Sequence, residues 1–95
     1  MFMRIVRSTP KPGQQDEFAK RWKAYFGPKI EQNPKARHAY VGYDATANTV
    51  VAVTVWDEHP GDAVIQATAE EFRPQVQDLM AGPPVFEAYE VIANA

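Results

Sequence analysis

Two residues in this 95-residue chain, His38 and Trp56, have side chains suited to acting on a bound small molecule. The imidazole of His38 suits a base that removes a phenolic proton. Otherwise it is a partly exposed histidine at the start of a strand. Trp56 presents an indole N–H donor and a flat apolar wall, or it fills volume in a core. Both fall in a reading of the mid-chain as a hairpin. If its turn centres on Ala47, His38 faces Trp56, Tyr40 faces Thr54 and Gly42 faces Ala52. A one-residue slip would put Ala39, Val41 and Tyr43 in place of the His38 set. Trp22, Tyr25, Phe26 and Phe72 recur at helical spacing and form an aromatic wall, as packed core or as the lining of a substrate pocket. The hydroxyls of Tyr25 and Tyr40 can bond a ligand oxygen or a buried carbonyl. Arg4 and Arg7 point to opposite sides of one strand, so one of them could neutralise an anionic substrate. His59 sits in the polar run Asp57-Glu58-His59-Pro60-Gly61-Asp62, whose spacing reads as a solvated turn rather than a metal site. Lys20, Arg21 and Lys23 read as a solvated helix face. No phosphate loop, serine elbow or carboxylate pair is discernible.

The elements that must hold these residues are marked by Pro, Gly and Asn. Phe2 to Ser8 reads as a strand stopped by Pro10-Lys11-Pro12-Gly13. A helix follows from about Gln14, its apolar stripe Phe18, Trp22, Tyr25, Phe26 and Ile30, with Asp16 and Glu17 at the dipole's positive end. Gly27-Pro28 is expected to kink or break it, and Asn33-Pro34 to end it. His38–Asp44 and Val50–Asp57 are the hairpin strands, and Asn48 is the turn residue that best tolerates a left-handed conformation. A second helix starts at about Asp62, a plausible N-cap. Ile65, Ala69, Phe72, Val76, Leu79 and Met80 mark its buried face, with a kink or break expected near Glu71–Arg73 because of Pro74. Gly82-Pro83-Pro84 stops it, and Val85–Ile92 is the last strand. The order β-α-β-β-α-β predicts an α+β, ferredoxin-like fold with a four-stranded antiparallel sheet and both helices on one face.

The third strand is apolar on both sides: Val50, Ala52 and Trp56 on one, Val51, Val53 and Val55 on the other. Two helices cover only one face of such a sheet, and no spare segment is long enough to cover the second. A homodimer formed through the sheet faces is therefore expected. Length limits residues 1–95 to one domain. Ten Lys and Arg against twelve Asp and Glu give a net charge of −2, which argues against nucleic acid as a partner. With no cysteine there is no disulfide, thiolate nucleophile or Cys-ligated metal. No apolar run is long enough to span a membrane, and the first residues lack a signal peptide's apolar core, so a cytoplasmic location is expected.

Lys11-Pro12-Gly13 before the first helix, Val53-Thr54-Val55-Trp56-Asp57 ending the third strand, and Ala81-Gly82-Pro83-Pro84 before a last strand ending Tyr89-Glu90-Val91 resemble the antibiotic biosynthesis monooxygenase family. The resemblance spans Met3 to Ile92, and the order of elements carries most of it. It implies a dimeric α+β barrel with a pocket between sheet and helices in each subunit. Among activities of the family it implies a cofactor-independent monooxygenase acting on a small electron-rich aromatic or quinol-like molecule. In that mechanism His38 is the base, Trp56 and a tyrosine stabilise the oxyanion, and Tyr40, Trp22, Tyr25 and Phe72 contact substrate. The alternative is a non-catalytic, ligand-binding or scaffold dimer of the same fold. The chain also departs from the family. Haem-degrading relatives carry an Asn on the first strand and a Trp and a His on the second helix. Phe2–Thr9 has no Asn, and Ala63–Met80 has neither Trp nor His, which disfavours haem. Polyketide-oxygenating relatives place an Asn four residues before the strand-three Trp, where this chain has Ala52.

Overall fold

A computed structural model describes residues 1–95. The β-branched run near the chain's middle forms the second of two central strands. Strands β1 (Phe2–Ser8), β2 (Ala36–Asp44), β3 (Thr49–Trp56) and β4 (Val85–Glu90) make one antiparallel sheet in the order β2-β3-β1-β4. Helix α1 (Gln15–Gln32) joins β1 to β2, and α2 (Asp62–Val76) with a 3₁₀ turn at Gln77–Leu79 joins β3 to β4. This is the expected ferredoxin-like βαββαβ order.

Both internal prolines are absorbed without breaking their helices. Pro28 lies inside α1 and Pro74 inside α2. Each removes one hydrogen bond, from the carbonyls of Ala24 and Glu70, and all four residues are exposed, so water can serve those carbonyls. The expected interruption near Glu71–Arg73 is displaced to the end of α2, where the chain tightens into the 3₁₀ turn. Gly61, at φ 99°, is the residue before α2, and Asp62 is its first helical residue rather than its cap. The last strand ends at Glu90, two residues short of the expected Ile92.

The hairpin register differs from the expected one. His38 pairs with Val55, Tyr40 with Val53, Gly42 with Val51 and Asp44 with Thr49. The loop is therefore four residues, Ala45–Asn48, not five. Asp44 explains the shortening: its carboxylate accepts the N–H groups of Thr46 (3.0 Å) and Ala47 (3.3 Å). Asn48 then takes the left-handed conformation at φ 48°, as its residue type suggested. Its side chain accepts from the Tyr43 hydroxyl at 2.9 Å and donates to the Pro10 carbonyl at 3.0 Å. The slip reverses which side of β2 faces the helices. An irregularity between Ala36 and His38 restores parity at the strand start, so Ala36 pairs with Trp56. Asn48→Ala is expected to cost about 1–3 kcal/mol, from left-handed backbone strain plus two lost hydrogen bonds. Asn48→Gly should recover only the backbone share, as urea titrations of the three proteins would show.

Alternation along each strand divides the sheet into two faces. Phe2, Arg4, Val6 and Ser8 of β1 share the helix side with Val50, Ala52, Thr54 and Trp56 of β3, Val41 of β2 and Phe86 of β4. The main core cluster sits at one end of this layer, where Phe18, Val50, Val76 and Leu79 close on one another, and Phe2 is buried at the other end. Arg21, braced within α1 by Glu17 (3.1 Å), ties α1 to the end of α2 through the Gln75 carbonyl (2.8 Å) and to the 3₁₀ turn through Asp78 (2.8 Å), so it is not the solvated cation expected of it. The opposite face carries Met3, Ile5, Val51, Val53, Val55, Tyr40, Val85 and Tyr89, and no segment of the chain crosses it. Tyr40 is 64 % and Val85 58 % exposed there, on a largely apolar surface that Arg7, Glu87 and His38 interrupt. At its β4 edge Arg7 pairs with Glu87 at 2.5 Å. The Tyr89 hydroxyl, first, and Arg7, second, hold the Glu87 carboxyl below its usual range.

Candidate active site

Bordering the core cluster, the helices and the sheet enclose a cleft of about 860 Å³. Its floor is Arg4 and Val6 of β1 with Ala52, Thr54 and Trp56 of β3; its far wall is α2 from Val64 to Val76. The space exists because Ala52 and Thr54 are small at the centre of the sheet. On α1, Trp22 and Phe26 face it, with ring centroids 5.5 Å apart, and Phe72 of α2 packs edge-on against Phe26 at 5.1 Å. The volume is of the size that encloses a small organic molecule.

Of the sequence-derived site residues, the structure brings Trp56, Trp22 and Phe72 to the cleft. Tyr25 is set behind this wall: its ring stacks on Phe72 at 5.2 Å. Burial of its hydroxyl, with the charge of Glu71 added, raises the Tyr25 pKa. His38 and Tyr40 are not in the cleft. The one-residue change of register turns both to the helix-free face beside Val55 and Val53, where their rings stack at 6.1 Å. The expected His38–Trp56 pair is therefore not formed within the chain. His59 packs its ring on Phe2 at 4.4 Å, and its Nδ1 accepts the Gly61 N–H at 2.8 Å, which orders the entry to α2.

The structure adds ionisable residues to the site. Arg4, Lys29 and Arg73 line the cleft, and no Asp, Glu, His or Tyr does. The sequence shows that Arg4 and Arg7 diverge, but which of them faces the helices follows only from the pairing of Arg4 with Thr54. Lys29 and Arg73 lie on helix faces that composition alone does not separate from solvent.

No protein-family model matches the chain. No curated protein matches it either. Solved structures do. A Nitrosomonas europaea protein provisionally described as an antibiotic biosynthesis monooxygenase superposes with a TM-score of 0.75 at 18% identity, over 98% of this chain and 100% of that one. A Bordetella bronchiseptica protein with the same provisional description gives 0.74 at 18% identity, over 97% of both chains. A Mycobacterium tuberculosis protein gives 0.73 at 15% identity, over 99% of this chain and 97% of that one. The chain has the fold of these proteins from end to end. No helix is long and apolar enough to cross a membrane.

Proposed function

We propose that this protein is a cytoplasmic, homodimeric oxygenase that acts without a cofactor on a small electron-rich aromatic or quinol-like molecule. One observation carries the reading: an aromatic-walled cleft of about 860 Å³ lies between sheet and helices in a fold shared with proteins described as monooxygenases. Trp22, Phe72 and Trp56 hold the flat ring system, and the Trp56 indole N–H donates to the oxygen on which negative charge develops. A substrate with an acidic C–H beside its phenolic ring loses that proton to water. The carbanion gives its electron pair to O₂, forming a C–O bond. The peroxide takes a proton from solvent; loss of the second proton from the same carbon then forms the C=O bond as the O–O bond breaks, so that one oxygen stays as a carbonyl and the other, protonated, leaves as water. The protein contributes enclosure, orientation and stabilisation of the anion. A second copy covers the helix-free face, where His38 and Tyr40 serve as contact residues instead of base and ligand donor.

The cleft's lack of a carboxylate or imidazole favours a second reading, ligand binding without turnover. Oxygen uptake with anthrone in aerated buffer separates the two. Oxygenation predicts one O₂ consumed per anthrone, with anthraquinone formed. Binding without uptake supports the second reading, and no binding contradicts both. Trp56→Phe keeps the wall and removes the donor, so kcat should fall about 10²-fold with KM little changed.

A further inference from the structure

We infer that the cleft takes its ligand as an anion, an aromatic body carrying one carboxylate, phenolate or enolate oxygen group paired with Arg4. This rests on the cleft being the ligand site. Arg4 lies mid-strand on β1, its side chain on the helix side between Thr54 and Ala88. It is half-buried on the cleft floor, with its guanidinium carbon 5.2 Å from the centre of the Phe86 ring.

None of the ion pairs in the chain includes Arg4. Arg7, Arg21, Lys35 and Arg37 each hold a carboxylate, whereas Arg4, Lys29 and Arg73, the three cations of the cleft, hold none. Lys11, Lys20 and Lys23 are also unpaired but exposed to water, so Arg4 stands apart as the unpaired arginine that is half-buried, and all twelve acidic residues of the chain lie outside the cleft lining. A half-desolvated guanidinium has five donors in a planar fork, and an unmatched one is costly to keep. Burial lowers the Arg4 pKa, in keeping with a charge not compensated by the protein. Phe86 leaves one face of the fork occupied and its edge free for an oxyanion. The apolar and aromatic walls fit a ring system better than a free inorganic anion. A ligand paired with Arg4 would also have its acidity raised, which supplies what a cleft without a base lacks.

The two tryptophans of the chain both line the cleft, so quenching of intrinsic fluorescence reports its occupancy. Three probes of one shape separate charge from apolar fit: 1-naphthoate, 1-naphthol and the uncharged 1-naphthamide. Naphthoate should bind the wild-type protein about ten- to a hundredfold tighter than naphthamide, and weaken as salt is raised. Naphthol should move from amide-like to naphthoate-like affinity as pH rises through its own ionisation. Arg4→Gln should abolish the preference, Arg4→Lys should keep part of it, and Lys20→Gln on the exposed face of α1 should leave it intact. Equal binding of naphthoate and naphthamide to the wild-type protein would overturn the inference, and needs no variant to fold. So would a preference that survives in folded Arg4→Gln. Anthrone oxygenation without a charge preference would overturn the inference alone; a charge preference without oxygen uptake would overturn the oxygenase reading alone.

Discussion

Val53→Asp should yield a folded monomer of 10.7 kDa, whereas the unaltered protein should run as a dimer of twice that mass at micromolar concentration. Val53 lies at the centre of the helix-free face, paired with Ile5 on one side and Tyr40 on the other. Burying Val51, Val53 and Val55 against a second copy contributes roughly 1.5–3 kcal/mol for each side chain. In a two-fold dimer the variant brings two carboxylates into that apolar layer, where the nearest cation, Arg7 on the neighbouring strand, is already paired with Glu87. A penalty of about 4 kcal/mol already weakens association about a thousandfold. Thr46→Asp, in the exposed hairpin turn, should leave the mass unchanged. Sedimentation velocity reads both outcomes, and a Val53→Asp protein that stays dimeric would place the interface elsewhere.

The second large effect lies in the core. Phe18→Ala removes the largest member of the cluster with Val50, Val76 and Leu79, a side chain only 5 % exposed and edge-on to Phe72 at 6.1 Å. A buried Phe→Ala substitution costs about 3–5 kcal/mol, against about 5–15 kcal/mol for the whole of a typical domain. Few residues of this chain are fully buried, so little else can take up the loss. The melting temperature should fall by about 12 °C or more. Ile92→Ala, at a side chain 93 % exposed, should change it little. Melting both at the same protein concentration keeps the contribution of self-association comparable.

The contrast between Leu79, in the core cluster, and Ile65, on the cleft, also explains how much of the molecule could be read from sequence. Element order, strand parity on β1 and β3 and the left-handed Asn48 follow from local chemistry: alternation, helical spacing and turn residues. The aromatic stripes were equally plain, but a stripe does not say whether its residues meet a core or line a space. Leu79 does the first and Ile65 the second, while Phe18, Trp22, Phe72 and Val76 do both, packing in or against the core cluster and lining the cleft. His38 was lost to a single residue of register. Alternating apolar residues fit either face when both faces of a sheet are apolar, so pattern could not choose between them. Asp44 made the choice by closing the turn one residue early. Arg4 was visible as one of a divergent pair, yet only its partner strand tells which way it faces.

The most direct test is a crystal structure of the protein with anthraquinone, the product of the proposed reaction, soaked in. The rings should lie between Trp22 and Phe72, with a carbonyl oxygen within hydrogen-bond distance of the Trp56 indole N–H. Ligand density on the face that holds His38 and Tyr40, with the cleft empty, would contradict the assignment of the active site.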